Sequence, residues 1–120
     1  MRAYERYNVR INEPYVKLLE REIRNGLAIF LGPPDGHEKT EKEHEFEWIV
    51  RSYMVMYNPF KEIMTTFVPK CYLRNKDLSL DTEIRLVNQW KRNKKEKDLC
   101  KILNKRLLKL LELKQPTLTA

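Results

Sequence analysis

Glu41-Lys42-Glu43-His44-Glu45-Phe46-Glu47-Trp48-Ile49-Val50-Arg51-Ser52-Tyr53-Met54-Val55-Met56-Tyr57 is the best-patterned stretch in the first half of the chain, and the fold turns on how it is read. Phe46, Ile49, Val50, Tyr53, Met54 and Tyr57 recur at steps of three and four, the spacing that aligns residues on one side of an α-helix. Just ahead, Thr40 and Glu43 have the arrangement of a capping box, a hydroxyl accepting from the third helical N–H and a carboxylate reaching back. Glu41, Glu43, Glu45 and Glu47 would then sit where the positive end of a helix dipole favours them. This spacing predicts a helix over 41–57, with Trp48 and Val55 widening its buried side, at the centre of the core.

The flanking segments extend the same reading. Asn58-Pro59 stops that helix and can start another, with Asn58 as cap and Pro59 at the first position. Phe60, Ile63, Met64 and Phe67 mark this short second helix, which ends before Pro69. Upstream, Gly32-Pro33-Pro34-Asp35-Gly36 is the clearest breaker. It lacks the lysine and Ser/Thr of a phosphate-binding loop, so it reads as a connector. Leu27 to Leu31 is a continuous apolar run suited to a buried strand. Before it, Asn12-Glu13-Pro14 opens a helix over 14–25, with Tyr15, Leu18, Leu19 and Ile23 at helical spacing and Asn25-Gly26 as the stop. Tyr7, Val9 and Ile11 alternate with polar residues as a short strand does, and pairing with 27–31 across the helix would be parallel.

The C-terminal third reads as one long helix from Asp81 to Lys114, or two joined in line, capped by Ser79 or Asp81. Ile84, Val87 and Trp90 begin an apolar stripe that Leu99, Ile102, Leu103, Leu107, Leu110 and Leu111 resume, with Leu108 and Leu113 beside it. Between them, from Lys91 to Asp98, the stripe gives way to charge. Lys70 to Asp77 reads as irregular, Gln115-Pro116 ends the last helix, and 117–120 is a frayed tail. The expectation is a single, mainly α domain of four helices with a long basic amphipathic C-terminal helix, and room for one short two-stranded element near the N-terminus. Within it, 1–69 is an acidic-to-neutral helical core, 70–115 a basic helical region and 116–120 the tail.

Length and charge bound the function. A chain of 120 residues is one domain by size, and its 42% hydrophobic content supports a modest core. Charged residues reach 34%, above the soluble average of about 25%, so much of the surface is ionic. The net charge of +7 is uneven: residues 1–69 carry 10 Lys and Arg against 11 Asp and Glu, whereas 70–120 carry 14 against 6. Such asymmetry points to a polyanion, RNA or a ribonucleoprotein surface, with an acidic protein as the other candidate partner and a merely solvated helical face as the plain alternative. No apolar run approaches the roughly 18 residues of a membrane span, and the first residues do not form a charged-then-apolar leader. Cys71 and Cys100 do not make a disulfide framework, so the expected compartment is reducing and intracellular, cytoplasmic or nuclear.

Four candidate sites follow. For nucleic acid, Lys91, Arg92, Lys94, Lys95, Lys97, Lys101, Lys105 and Arg106 can neutralise phosphates, and Lys109 continues the series. Trp90 beside them either stacks on a base or packs in the core as part of the Ile84–Val87 stripe. For a partner helix, as in a regulatory or viral accessory factor, Leu99, Leu103, Leu107, Leu110 and Leu111 offer a docking stripe, unless the domain's own core covers it. For a metal, His37, His44, Cys71 and Cys100 lack the short paired spacing of a zinc site. For catalysis, the carboxylates of 38–47 stand in a solvated context and no nucleophile has a base beside it, so no enzyme and no cofactor is expected.

Overall fold

The computed structural model describes residues 12–33, 45–73, 78–92 and 97–114. Helix α1 spans Glu13–Arg24. Asn12 caps it, its Oδ1 accepting from the Tyr15 N–H at 2.9 Å, and Pro14 stands in the first turn, where its missing N–H has no helical partner to lose. At the other end Gly26 adopts φ 79°, and the N–H groups of Gly26 and Leu27 donate to the carbonyls of Ile23 and Glu22. That pair of bonds is the Schellman arrangement, which needs a left-handed residue at this point. The helix expected over 14–25 is therefore present, with the stop expected.

Four strands follow: β1 Ile29–Gly32, β2 Phe46–Val50, β3 Tyr53–Asn58 and β4 Ile63–Pro69. They form one antiparallel sheet in sequential order, with Phe30 opposite Trp48, Trp48 opposite Val55, and Tyr57 opposite Met64. Lys70–Tyr72 makes a single 3₁₀ turn. Helices α2 (Leu80–Trp90) and α3 (Lys97–Lys114) complete the described chain, and Ser79 caps α2 by accepting from the Thr82 N–H. One side of the sheet supplies Phe30, Phe46, Trp48, Val50, Val55, Tyr57, Met64 and Phe67 to the core. The three described helices close on it, through Leu19 and Ile23, Val87, and Leu99, Ile102, Leu103 and Leu110. The result is two layers, helices on one face of an antiparallel sheet.

The expectation of a mainly α, four-helix domain is thus overturned: three helices stand beside a four-stranded sheet among the described residues. Residues 46–57 of the expected helix 41–57 lie in the β2–β3 hairpin instead. Phe46, Trp48 and Val50 point into the helical layer and every residue of β2 is buried, so the alternation begun by Glu45-Phe46-Glu47-Trp48 is cut short by the apolar run Trp48-Ile49-Val50. Its turn, Arg51-Ser52, carries none of the usual hairpin chemistry; Arg51 itself takes the left-handed conformation, φ 55°. The expected helix after Pro59 is likewise β4. Asn58 Oδ1 accepts from the N–H groups of Phe60 and Lys61, and the Glu62 N–H returns to the Asn58 carbonyl. That closes a four-residue turn rather than opening a helix. A bulge at Thr66, φ 60°, shifts the register of β4 between Met54 and Met56.

The apolar run 27–31 does contain a strand, and β1 pairs antiparallel with β2; the parallel pairing expected with Tyr7–Ile11 lies outside the described residues, as do Thr40 and Glu43. One further correction concerns a connection. The C-terminal helices do not run in line. Lys114 Nζ meets Asp81 Oδ1 at 2.9 Å, and Cys100 Sγ donates to the Lys91 carbonyl at 3.1 Å, so the end of α3 lies at the start of α2 and the two are antiparallel.

Candidate nucleic-acid interface

The basic surface is built on α3, whose two sides have opposite tasks. Leu99, Ile102, Leu103 and Leu110 are buried in the core, and Leu107 packs partly against it, while Leu111 is exposed. Most of the leucine stripe offered for partner docking is therefore covered by this domain's own sheet. Lys97, Lys101, Lys105 and Lys109 occupy the exposed side at steps of four. Each step rises roughly 6 Å along the axis, so four amines line about 18 Å of helix. None of the four forms an ion pair among the described residues; Asp98 and Glu112 are the carboxylates carried by the same helix. Arg92, just past α2, is also exposed, whereas Lys91 is half-buried. Lys94 and Lys95 lie outside the described residues.

Two of the expected contact residues are placed differently. Trp90 is partly buried against the core, its ring edge-on to Phe46 with centroids 5.1 Å apart. Arg106 faces inward and is 7% exposed. Its Nε and Nη2 donate to the two carboxylate oxygens of Glu83, at 2.7 and 3.0 Å, and Nη1 reaches the Gly26 carbonyl at 3.3 Å. Glu83, 4% exposed, also accepts from the Phe30 N–H at 2.8 Å. This bidentate pair joins α2, α3 and β1, the edge strand among the described residues, and gives a backbone donor of β1 an acceptor. The α1–β1 turn comes close enough that a Cβ on Gly26 would lie 2.8 Å from the Arg106 nitrogen and the Lys105 carbonyl carbon. The sequence held a signal for Arg106: it fills a core position of the stripe 99, 102, 103, 106, 110, and a cation there calls for a buried carboxylate.

A second polar cluster fastens α1 to the hairpins. Tyr57, buried, donates from its hydroxyl to Glu20 Oε2 and accepts from Arg24 Nε, both at 2.8 Å. Burial, reinforced by Glu20 and opposed by Arg24, pushes the Tyr57 phenol well above the usual tyrosine range. Arg24 also donates to the Pro59 carbonyl and to Glu62. On the outer side of α1, the Arg51 guanidinium donates to both oxygens of Glu22, at 2.8 and 2.9 Å. That hydrogen bonding lowers the Glu22 carboxyl against the opposing effect of its burial. These groups are satisfied by one another, which suits a structural strap better than a reacting centre. Of the possible zinc ligands, Cys71 is exposed and Cys100 is held at the α2–α3 junction, while His37 and His44 lie outside the described residues.

The chain matches no family model, no curated protein and no solved structure. None of the described helices is long and apolar enough to cross a membrane.

Proposed function

We propose that this is a non-enzymatic RNA-binding protein, working within or against a ribonucleoprotein such as the ribosome in the cytoplasm or nucleus. The observation that supports this reading is the row Lys97, Lys101, Lys105 and Lys109 along the outer side of α3, joined by Arg92. Lys97 and Lys101 stand in the first turns of the helix, where the backbone dipole is itself positive. Lysines there work against the helix when it is free and with it when an anion is bound. Amines held on a rigid element and spaced along its axis suit a run of backbone phosphates, whose neutralisation releases counterions and needs no base contact. Arg106 is committed to Glu83 and Trp90 to the core, so the contact rests on phosphate recognition and is shape- rather than sequence-directed.

The test is binding of a fluorescent RNA hairpin by anisotropy at low salt. Lys97→Gln with Lys101→Gln is expected to weaken binding roughly tenfold or more, because two phosphate contacts are lost. Its thermal unfolding should match that of the parent, since both side chains are exposed. Equal affinity for the parent and the double variant, or no binding by either, would remove the proposal.

A further inference from the structure

The outer side of α3 changes character along its length. Its first half is cationic, but two turns further on the same side carries Leu108, 65% exposed, and Leu111, 41% exposed. Asn104 and Lys101 bound this short stripe at one end. Scattered exposed leucines are ordinary. These two, three residues apart, form the apolar ridge that a second helix can straddle. RNA offers little to cover such a ridge. The flanking charges indicate what can. Lys105 and Glu112 lie seven residues apart, hence on the same flank of the stripe, and neither forms an ion pair within the described residues.

We infer that this half of α3 docks against α3 of a second copy of the chain, antiparallel and about a two-fold axis. In an antiparallel pair, residues of one flank meet residues of the same flank on the partner. Leu108 of each copy then packs on Leu111 of the other, and Lys105 of each faces Glu112 of the other, twice by symmetry. A parallel pairing would instead turn this flank toward the opposite flank of the partner, where Leu107 and Lys114 stand and no carboxylate meets Lys105. Opposite charges at this separation thus select both the occupant and its direction. The contact is small and the dimer weak and transient by the usual size scale. It leaves Lys97 and Lys101 uncovered at both ends, so the dimer would present two cationic zones. The inference does not rest on the RNA reading: Lys105 is the one side chain the two share, and the test uses RNA-free protein.

Sedimentation velocity over a range of concentrations up to roughly millimolar, the regime of small interfaces, reads it directly. The weight-average mass is expected to climb from 14.6 kDa toward twice that value. Leu108→Gln with Leu111→Gln should remain monomeric with unchanged circular dichroism. Lys105→Glu should weaken the dimer about tenfold or more through like charge, and adding Glu112→Lys should restore it. A parent that stays monomeric throughout, leaving the leucines for another protein or a lipid surface, overturns the inference. So does a dimer indifferent to the leucine changes, or a charge swap that fails to restore it.

Discussion

Replacing Arg106 with methionine tests the join between the two layers. The pair it forms with Glu83 is 8% and 4% exposed at the two side chains and closed by hydrogen bonds of 2.7 and 3.0 Å. Methionine keeps much of the aliphatic stem and removes both donors, so Glu83 is left as a buried carboxylate with only the Phe30 N–H at 2.8 Å. Breaking a buried pair from one side costs about 3–5 kcal/mol, because the remaining charge stays desolvated. A domain of this size holds roughly 5–15 kcal/mol in all, so the variant should fold but lose a large share of its margin. With a urea m-value near 2 kcal/mol/M, the midpoint should fall by about 2 M. Adding Glu83→Gln removes the stranded charge and keeps an acceptor for Phe30, and should return at least about 2 kcal/mol. Urea denaturation followed by circular dichroism measures both. A drop in midpoint below about 0.5 M for Arg106→Met, or a double variant no better than the single, would refute the reasoning.

Other outcomes follow from the same geometry. Gly26→Ala forces a side chain into the left-handed region and onto the α3 backbone at 2.8 Å; a loss of about 1–3 kcal/mol is expected in urea melts. Leu103→Ala empties a fully buried position and should cost about 2–5 kcal/mol, and Leu103→Glu should unfold the isolated domain, as a core residue and not a docking residue would. Tyr57 holds its proton longer in the folded chain than in the unfolded one. Its stabilising contribution is therefore complete below the unfolded phenol value of about 10 and is lost as pH rises from there toward the higher folded value. In an absorbance titration at 295 nm, Tyr57→Phe should remove a tyrosine that ionises only as the chain unfolds.

The ends of the elements were more legible than the elements between them. Asn12, Pro14 and Gly26 set the limits of α1 because cap, first-turn proline and left-handed stop are local chemistry, and Ser79 caps α2 for the same reason. The apolar stripe through Leu99, Leu103 and Leu110 also survives, since it is the inner side of a real helix. The sheet stayed hidden for two physical reasons. Its inner strand β2 is buried on both faces, so Ile49 breaks off the two-residue period after Trp48 and chance spacings of three and four stand out. Its turns are made by Arg51-Ser52 and by Asn58 capping residues 59–62, and the first has no glycine or asparagine to mark it. Val50, Val55, Ile63, Thr65, Thr66 and Val68 were the available signal: β-branched residues crowd this region. At the candidate interface, exposure of Lys97, Lys101 and Lys105 could be read from the helical period. The same period puts Arg106 on the inner side, but its partner Glu83 was not legible, because it stands on another helix.

The central claim is that free amines along α3 meet a row of phosphates, and the salt dependence of RNA binding measures it most directly. Four neutralised phosphates correspond to a slope of log K against log salt of about −3, and Lys97→Gln with Lys101→Gln should flatten it by about 1.5. A parent slope near zero, or one that the two substitutions leave unchanged, would contradict the account.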